Sequence, residues 1–102
     1  MAYNGWTNYE TWCVKLHMDK DEGSQRHWDR SAREAVRDFG GPDGCIPVLA
    51  DRLEEWHKIE DMPQVTGVYA DLLSASLSEV NWHEIAENLV EEYREEVADD
   101  NA

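Results

Sequence analysis

Long apolar runs are missing from this chain. No stretch of its 102 residues approaches the roughly 18 consecutive apolar residues that cross a bilayer, so no membrane span is expected. The opening Met1-Ala2-Tyr3-Asn4-Gly5 has neither a basic region nor an apolar core, and no secretory signal is read from it. Cysteine is scarce: Cys13 and Cys45 cannot form a disulfide framework, and both are expected as free thiols in a cytoplasmic protein. No segment alternates at period two, which leaves no candidate strand. Basic residues are few, nine against twenty-three acids, for a net charge of −14. A surface of that sign repels nucleic acid and anionic lipid and attracts basic partners.

Catalytic and cofactor patterns are also absent. The glycines between Phe39 and Gly44 follow no strand and lead to no Gly-Lys-Ser/Thr ending, so they form no phosphate loop. The serines sit in no nucleophile motif. Cys13 and His17 lie one helical turn apart and could share a face, but the further ligands a metal needs would have to come from His27, His57, His83 or Cys45, and no paired spacing suggests it. Cys45, in a glycine-rich loop, could be exposed, but nothing nearby in sequence lowers its pKa. No enzyme, metal or cofactor is expected.

What the chain does have is aromatic mass and helical periodicity. Five Trp, four Tyr and one Phe supply much of one core, since each ring buries roughly 150–250 Å². A chain of this length makes one domain, residues 1–102, with 1–5 and 98–102 expected to fray. Its head is Trp6-Thr7-Asn8-Tyr9-Glu10-Thr11-Trp12, where Thr7 and Glu10 have capping-box spacing. The first helix is expected from Tyr9 to Asp19 with Tyr9, Trp12, Cys13 and Leu16 inward, and Gly23 in a turn. The second follows Ser24 to Asp38, with Trp28, Ala32, Ala35 and Phe39 inward. The third starts near Pro47, a residue suited to a first turn, and turns Val48, Leu49, Leu53, Trp56 and Ile59 inward. The fourth, about Gly67 to Ser76 with Thr66 as cap, is apolar over much of its girth and is expected to be the most central. Asn81 and Glu84 repeat the capping-box spacing before a fifth helix, which turns Trp82, Ile85, Ala86, Leu89, Val90, Tyr93 and Val97 to one side. The expected fold is a compact all-α bundle of about five helices, with Trp12, Trp28, Trp56 and Trp82 in a shared core.

The segment Trp6–Trp12 resembles the signature of an uncharacterised family of small bacteriophage and mobile-element proteins. Lys20-Asp21-Glu22-Gly23, Leu49-Ala50-Asp51-Arg52-Leu53, Ala70–Leu73 and Leu77–Ala86 are similar to later stretches of the same family. The resemblance implies a phage or mobile-element source, a setting in which small acidic proteins often antagonise host defence. It implies no activity, cofactor or functional residue.

Charge is distributed unevenly. Residues 1–50 hold eight acids and six bases, whereas residues 51–102 hold fifteen acids and three bases. Eight acids fall between Glu84 and Asp100. At 100° per residue Glu84, Glu87, Glu91, Glu95 and Asp99 share one stripe, with Glu92 and Glu96 beside it. The segment averages one carboxylate per about 3 Å of helix, close to the roughly 3.4 Å charge spacing of one DNA strand. Helix 3 adds Glu54 and Glu55. Tyr3 and Trp6, ahead of the first cap, are expected to be partly exposed, and such rings dominate binding hot spots. Two functions fit. In the first, Glu84, Glu87, Glu91, Glu92, Glu95 and Glu96, with Glu54, Glu55, Tyr3 and Trp6, bind a basic, nucleic-acid-handling host protein in the host cytoplasm by mimicking nucleic acid. In the second, the chain is a self-associating helical module and its charge serves solubility alone.

Overall fold

The computed structural model describes the backbone of residues 3–100 and the side chains of residues 3–95. Among the described residues five α-helices follow in order: α1 Tyr9–Lys20, α2 Glu22–Phe39, α3 Pro42–Glu55, α4 Gly67–Ser78 and α5 Trp82–Asp100. A π-helical turn, Trp56–Glu60, continues α3. Among the described residues the only β pairing is an isolated bridge between Tyr3 and Trp6. The all-α bundle expected from the sequence is therefore the fold. Among the described residues no helix is long and apolar enough to cross a membrane.

α3 and α5 form the central pair, α2 packs on both, and α1 lies against α2 and α5. Leu49 and Leu53 of α3 meet Ile85, Leu89 and Val90 of α5, with Trp28, Ala32 and Ala35 from α2 and Met18 from α1. Small residues on α2 let that helix approach closely, and Trp28 and Trp82 fill the remaining volume. A Cβ at Gly44 would collide with the Phe39 carbonyl oxygen, so the glycine permits the tight passage from α2 into α3.

Several local expectations are corrected. Asn8, in extended conformation, caps α1; its Oδ1 accepts from the Thr11 amide at 2.9 Å, and Thr7 is left free for other work. The buried face of α1 carries Thr11, Lys15 and Met18, spaced 4 and 3, while Tyr9 is exposed and Trp12, Cys13 and Leu16 are half-buried. Polar Thr11 and Lys15 go inside because partners await them there. α2 begins directly at Glu22, capped by the Asp21 carboxylate, so Gly23 lies within the helix. Phe39 is exposed.

Pro42, not Pro47, opens α3, which draws Cys45 into the helix and buries it. In the π turn the Asp61 amide donates to the Trp56 carbonyl at 2.8 Å. The wider turn breaks the 3.6-residue register, and Ile59 swings out to solvent. Thr66 precedes α4 without a side-chain hydrogen bond, and α4 runs to Ser78. The largest correction concerns α4 itself: among the described residues none of it is buried, so it is a peripheral helix and not the central one. Of the four tryptophans expected in the core, Trp28 and Trp82 are buried, Trp56 is half-buried against the core, and Trp12 is half-buried outside it. Val97 and the expected fraying at 98–102 lie outside the residues whose side chains are described, as do Met1 and Ala2.

Candidate functional site

The N-terminal motif fastens the start of α1 onto the start of α5. Thr11, fully buried, donates its hydroxyl to Asn8 Oδ1 at 2.6 Å and accepts from the Asn81 amide at 2.8 Å. Asn8 Nδ2 donates to the Glu79 carbonyl at 2.6 Å, and Asn81 Nδ2 to the Thr7 hydroxyl at 3.3 Å. Asn81 Oδ1 caps α5 by accepting from the Glu84 amide at 3.0 Å. The Glu84 side chain does not close the capping box; it reaches across and accepts from the Thr7 amide at 2.9 Å. Ahead of this clamp, Tyr3 and Trp6 exchange backbone hydrogen bonds across Asn4 and Gly5. Both central residues have positive φ, 50° and 88°, the geometry that Asn-Gly sequences favour in a tight turn. Trp6 is thereby pressed, half-buried, against the core.

This construction brings two separately expected features together. Trp6, Gly5, Glu84, Glu87, Asn88 and Glu91 line one shallow groove of about 180 Å³. Glu87 and Glu91 are exposed, and among the described residues neither makes an ion pair. Asn88 is half-buried, and its Oδ1 is buried with no hydrogen-bond partner among the described residues. Three carboxylates beside an indole suit a guanidinium or ammonium group, which is attracted to anionic acceptors and to the face of an aromatic ring.

The remaining acids expected at the site are dispersed. Glu95 continues the row one turn beyond Glu91 and is exposed. Glu92 lies 3.6 Å from the buried Lys15 ammonium, which Asp19 also holds at 2.7 Å. Partial burial raises the Glu92 pKa, and Lys15 only partly offsets this. Glu54 is bound by Lys58 at 2.6 Å, and Glu55 lines a different groove with Glu34, Arg52 and Glu60. The Glu96 side chain lies outside the described residues. Tyr3, exposed like Tyr9, clusters with it and the half-buried Trp12, ring centroids 5.0–5.6 Å apart. The open anionic row is thus Glu87, Glu91 and Glu95. Its repeat is about 6 Å along the axis, roughly twice the axial spacing of phosphates on one strand.

A second groove, about 550 Å³, lies where α1, α2 and the π turn meet. Cys13, His17, His27, Trp28, Trp56 and His57 are among its lining residues. The sequence named Cys13, His17, His27 and His57 only as a weak metal set and did not place them in one groove, because they are scattered over 45 positions and meet only in the fold. His57 is stacked between Trp28 and Trp82, centroids 5.9 and 5.2 Å away. Its Nδ1–H donates to the Leu53 carbonyl at 2.8 Å. Burial lowers the His57 pKa, against smaller opposing effects of Leu53 and Asp61. Among the described residues no group of three or more His, Cys, Asp and Glu is arranged to hold a metal ion.

Fold and groove together define a small all-α protein with an acidic, tryptophan-edged cleft. Residues 1–40 match the model of a family of unknown function, DUF7249. The matched span holds the Trp6–Trp12 motif, α1 and α2, and leaves α3, α4 and α5 outside. No curated protein and no solved structure gives a match.

Proposed function

We propose that this chain is a binding protein that captures a basic partner through α5. An arginine or lysine of the partner enters the Trp6 groove between Glu87 and Glu91, and Glu95 extends the anionic contact along the helix. The groove carries this reading, because it sets an indole beside carboxylates that the chain's own cations leave unpaired. The resemblance of the N-terminal motif to phage and mobile-element proteins makes a host defence or DNA-handling protein the natural target. The row then stands in for part of a phosphate backbone, at about half the linear charge density of one strand. On this reading the chain acts by occupancy and not by catalysis.

The test is capture from bacterial host lysate at about 50 mM and about 500 mM salt, a range over which surface charge becomes well screened. The expected result is retention of a basic, nucleic-acid-binding protein at low salt, its loss at high salt, and its displacement by added duplex DNA. The double variant Glu87→Lys/Glu91→Lys should keep wild-type helicity and lose the partner. A partner that is held equally at both salts and ignores duplex DNA would overturn the proposal.

A further inference from the structure

We propose that the groove between α1, α2 and the π turn is a small-molecule site, and that it takes an uncharged planar nitrogen heterocycle whose edge N–H donates to His57 Nε2. The first ground is the state of His57. A carbonyl oxygen only accepts, so the contact of Nδ1 with the Leu53 carbonyl at 2.8 Å puts the proton on Nδ1. The neutral ring then carries its lone pair on Nε2. Among the described residues Nε2 has no hydrogen-bond partner. Nor is it sealed from solvent: among the described residues the one buried side-chain polar atom without a partner is Asn88 Oδ1. The open space that His57 borders is this groove. Stacking on Trp28 and Trp82, with the tether to Leu53, holds the ring in place. Burial favours its neutral form. Nε2 is therefore a fixed acceptor at the groove with nothing of this chain to accept from.

The second ground is size and lining. A volume of about 550 Å³ falls within the roughly 300–1,000 Å³ of small-molecule sites, which pair an apolar lining with a few placed polar groups. Val14, Met18, Trp28 and Trp56 supply the apolar part. The indoles favour a flat aromatic occupant, because ring contacts add to the area buried. π-helical turns are rare and recur at functional sites, and this one sets Trp56 and His57 on the groove wall.

Charge and hydrogen-bonding capacity select the occupant. No lysine or arginine lines the groove, and the chain has a net charge of −14, so an anion is repelled. A full positive charge would lose its water against the indoles, while the lining carboxylates, Asp21 and Asp61, are exposed and offer it no buried counter-ion. Asp21 already accepts from the Ser24 amide as the cap of α2. What remains is an uncharged ring with a donor on its edge.

The test is NMR titration of the isotope-labelled full chain with benzimidazole, its N-methyl derivative and its carboxylate, up to about 10 mM. A pH of about 7.5 keeps His57 neutral. Benzimidazole is expected to shift the amides of Cys13, Ser24 and His57 and the indole N–H of Trp56, with a Kd on the order of 1 mM. The N-methyl derivative lacks the donor and should bind roughly three- to tenfold more weakly, and the carboxylate should be weaker than benzimidazole as well. His57→Phe keeps a stacked ring and removes the acceptor. It should bind benzimidazole as weakly as the N-methyl derivative and no longer distinguish the two, whereas a steric cause would leave the discrimination intact. If that variant does not fold, the wild-type comparison decides by itself. Glu87→Lys/Glu91→Lys should bind benzimidazole as the wild type does, so this inference and the proposed function fail separately. The inference is overturned by the absence of shifts at these residues, by equal affinity of the wild type for benzimidazole and either derivative, or by discrimination that survives His57→Phe.

Discussion

α3 and α4 carry similar side chains and meet opposite fates. Leu49 and Leu53 of α3 are fully buried, while Leu72 of α4 is 60% exposed. Each helix offers leucines and valines at helical spacing, and α4 is the more apolar along its length. Hydrophobicity is a demand for cover; it does not supply the cover. α3 obtains it because α5 and α2 present matching faces within reach. α4 is reached through an exposed segment after the π turn, and only its inner side meets the core.

Substitutions at matched positions should break or sharpen this contrast. The largest effect is expected from Leu53→Ala, which leaves a cavity in the α3–α5 seam and should cost about 2–5 kcal/mol in urea unfolding. If it costs no more than a surface change, the seam is not the core. Next is Thr11→Val, which keeps the shape but leaves the part-buried Asn81 amide without its acceptor. A loss of about 1–3 kcal/mol is expected, with the α5 N-terminal amides exchanging hydrogen faster.

Smaller still is the acid response of His57. Its folded pKa lies below its usual value of 6.5 because burial disfavours the charged ring. The unfolded chain therefore binds the proton more readily. Stability should be intact above pH 6.5 and should fall as pH drops below it, by at most about 1.4 kcal/mol per pH unit until the folded ring titrates. His57→Phe should flatten that limb between pH 6.5 and 5 relative to wild type; an unchanged slope would assign it to other groups. The smallest effect is expected from Leu72→Ala at dilute protein, within about 0.5 kcal/mol of wild type. A loss like that of Leu53→Ala in the monomer would mean that α4 is covered after all.

The candidate site was legible in pieces. The acidic helix, its Asn81 cap and the partial exposure of Trp6 all followed from spacing and composition, because caps and periodicity act over four residues or fewer. The union of Trp6 with Glu87 and Glu91 was not legible, since it depends on a clamp between residues seventy or more positions apart. For the same reason the row of open carboxylates is sparser than the sequence suggests. Lys15 reaches Glu92 only after α1 has turned a polar face inward, and Thr7 takes up Glu84 only after the helix starts have met.

By itself the sequence determined that the chain is helical, where most of its helices lie and where its negative charge collects, because backbone propensity, capping and charge are local properties. It also determined the inward residues Trp28, Ala32 and Ala35 of α2 and Trp82, Ile85, Ala86, Leu89 and Val90 of α5, which recur at helical spacing. Only the tertiary structure decided which apolar helix would be covered, that Cys45 would be buried and Ile59 would not, and that an indole would border the acidic ridge. Each of these depends on what another part of the chain brings into contact, and burial is a property of pairs of surfaces.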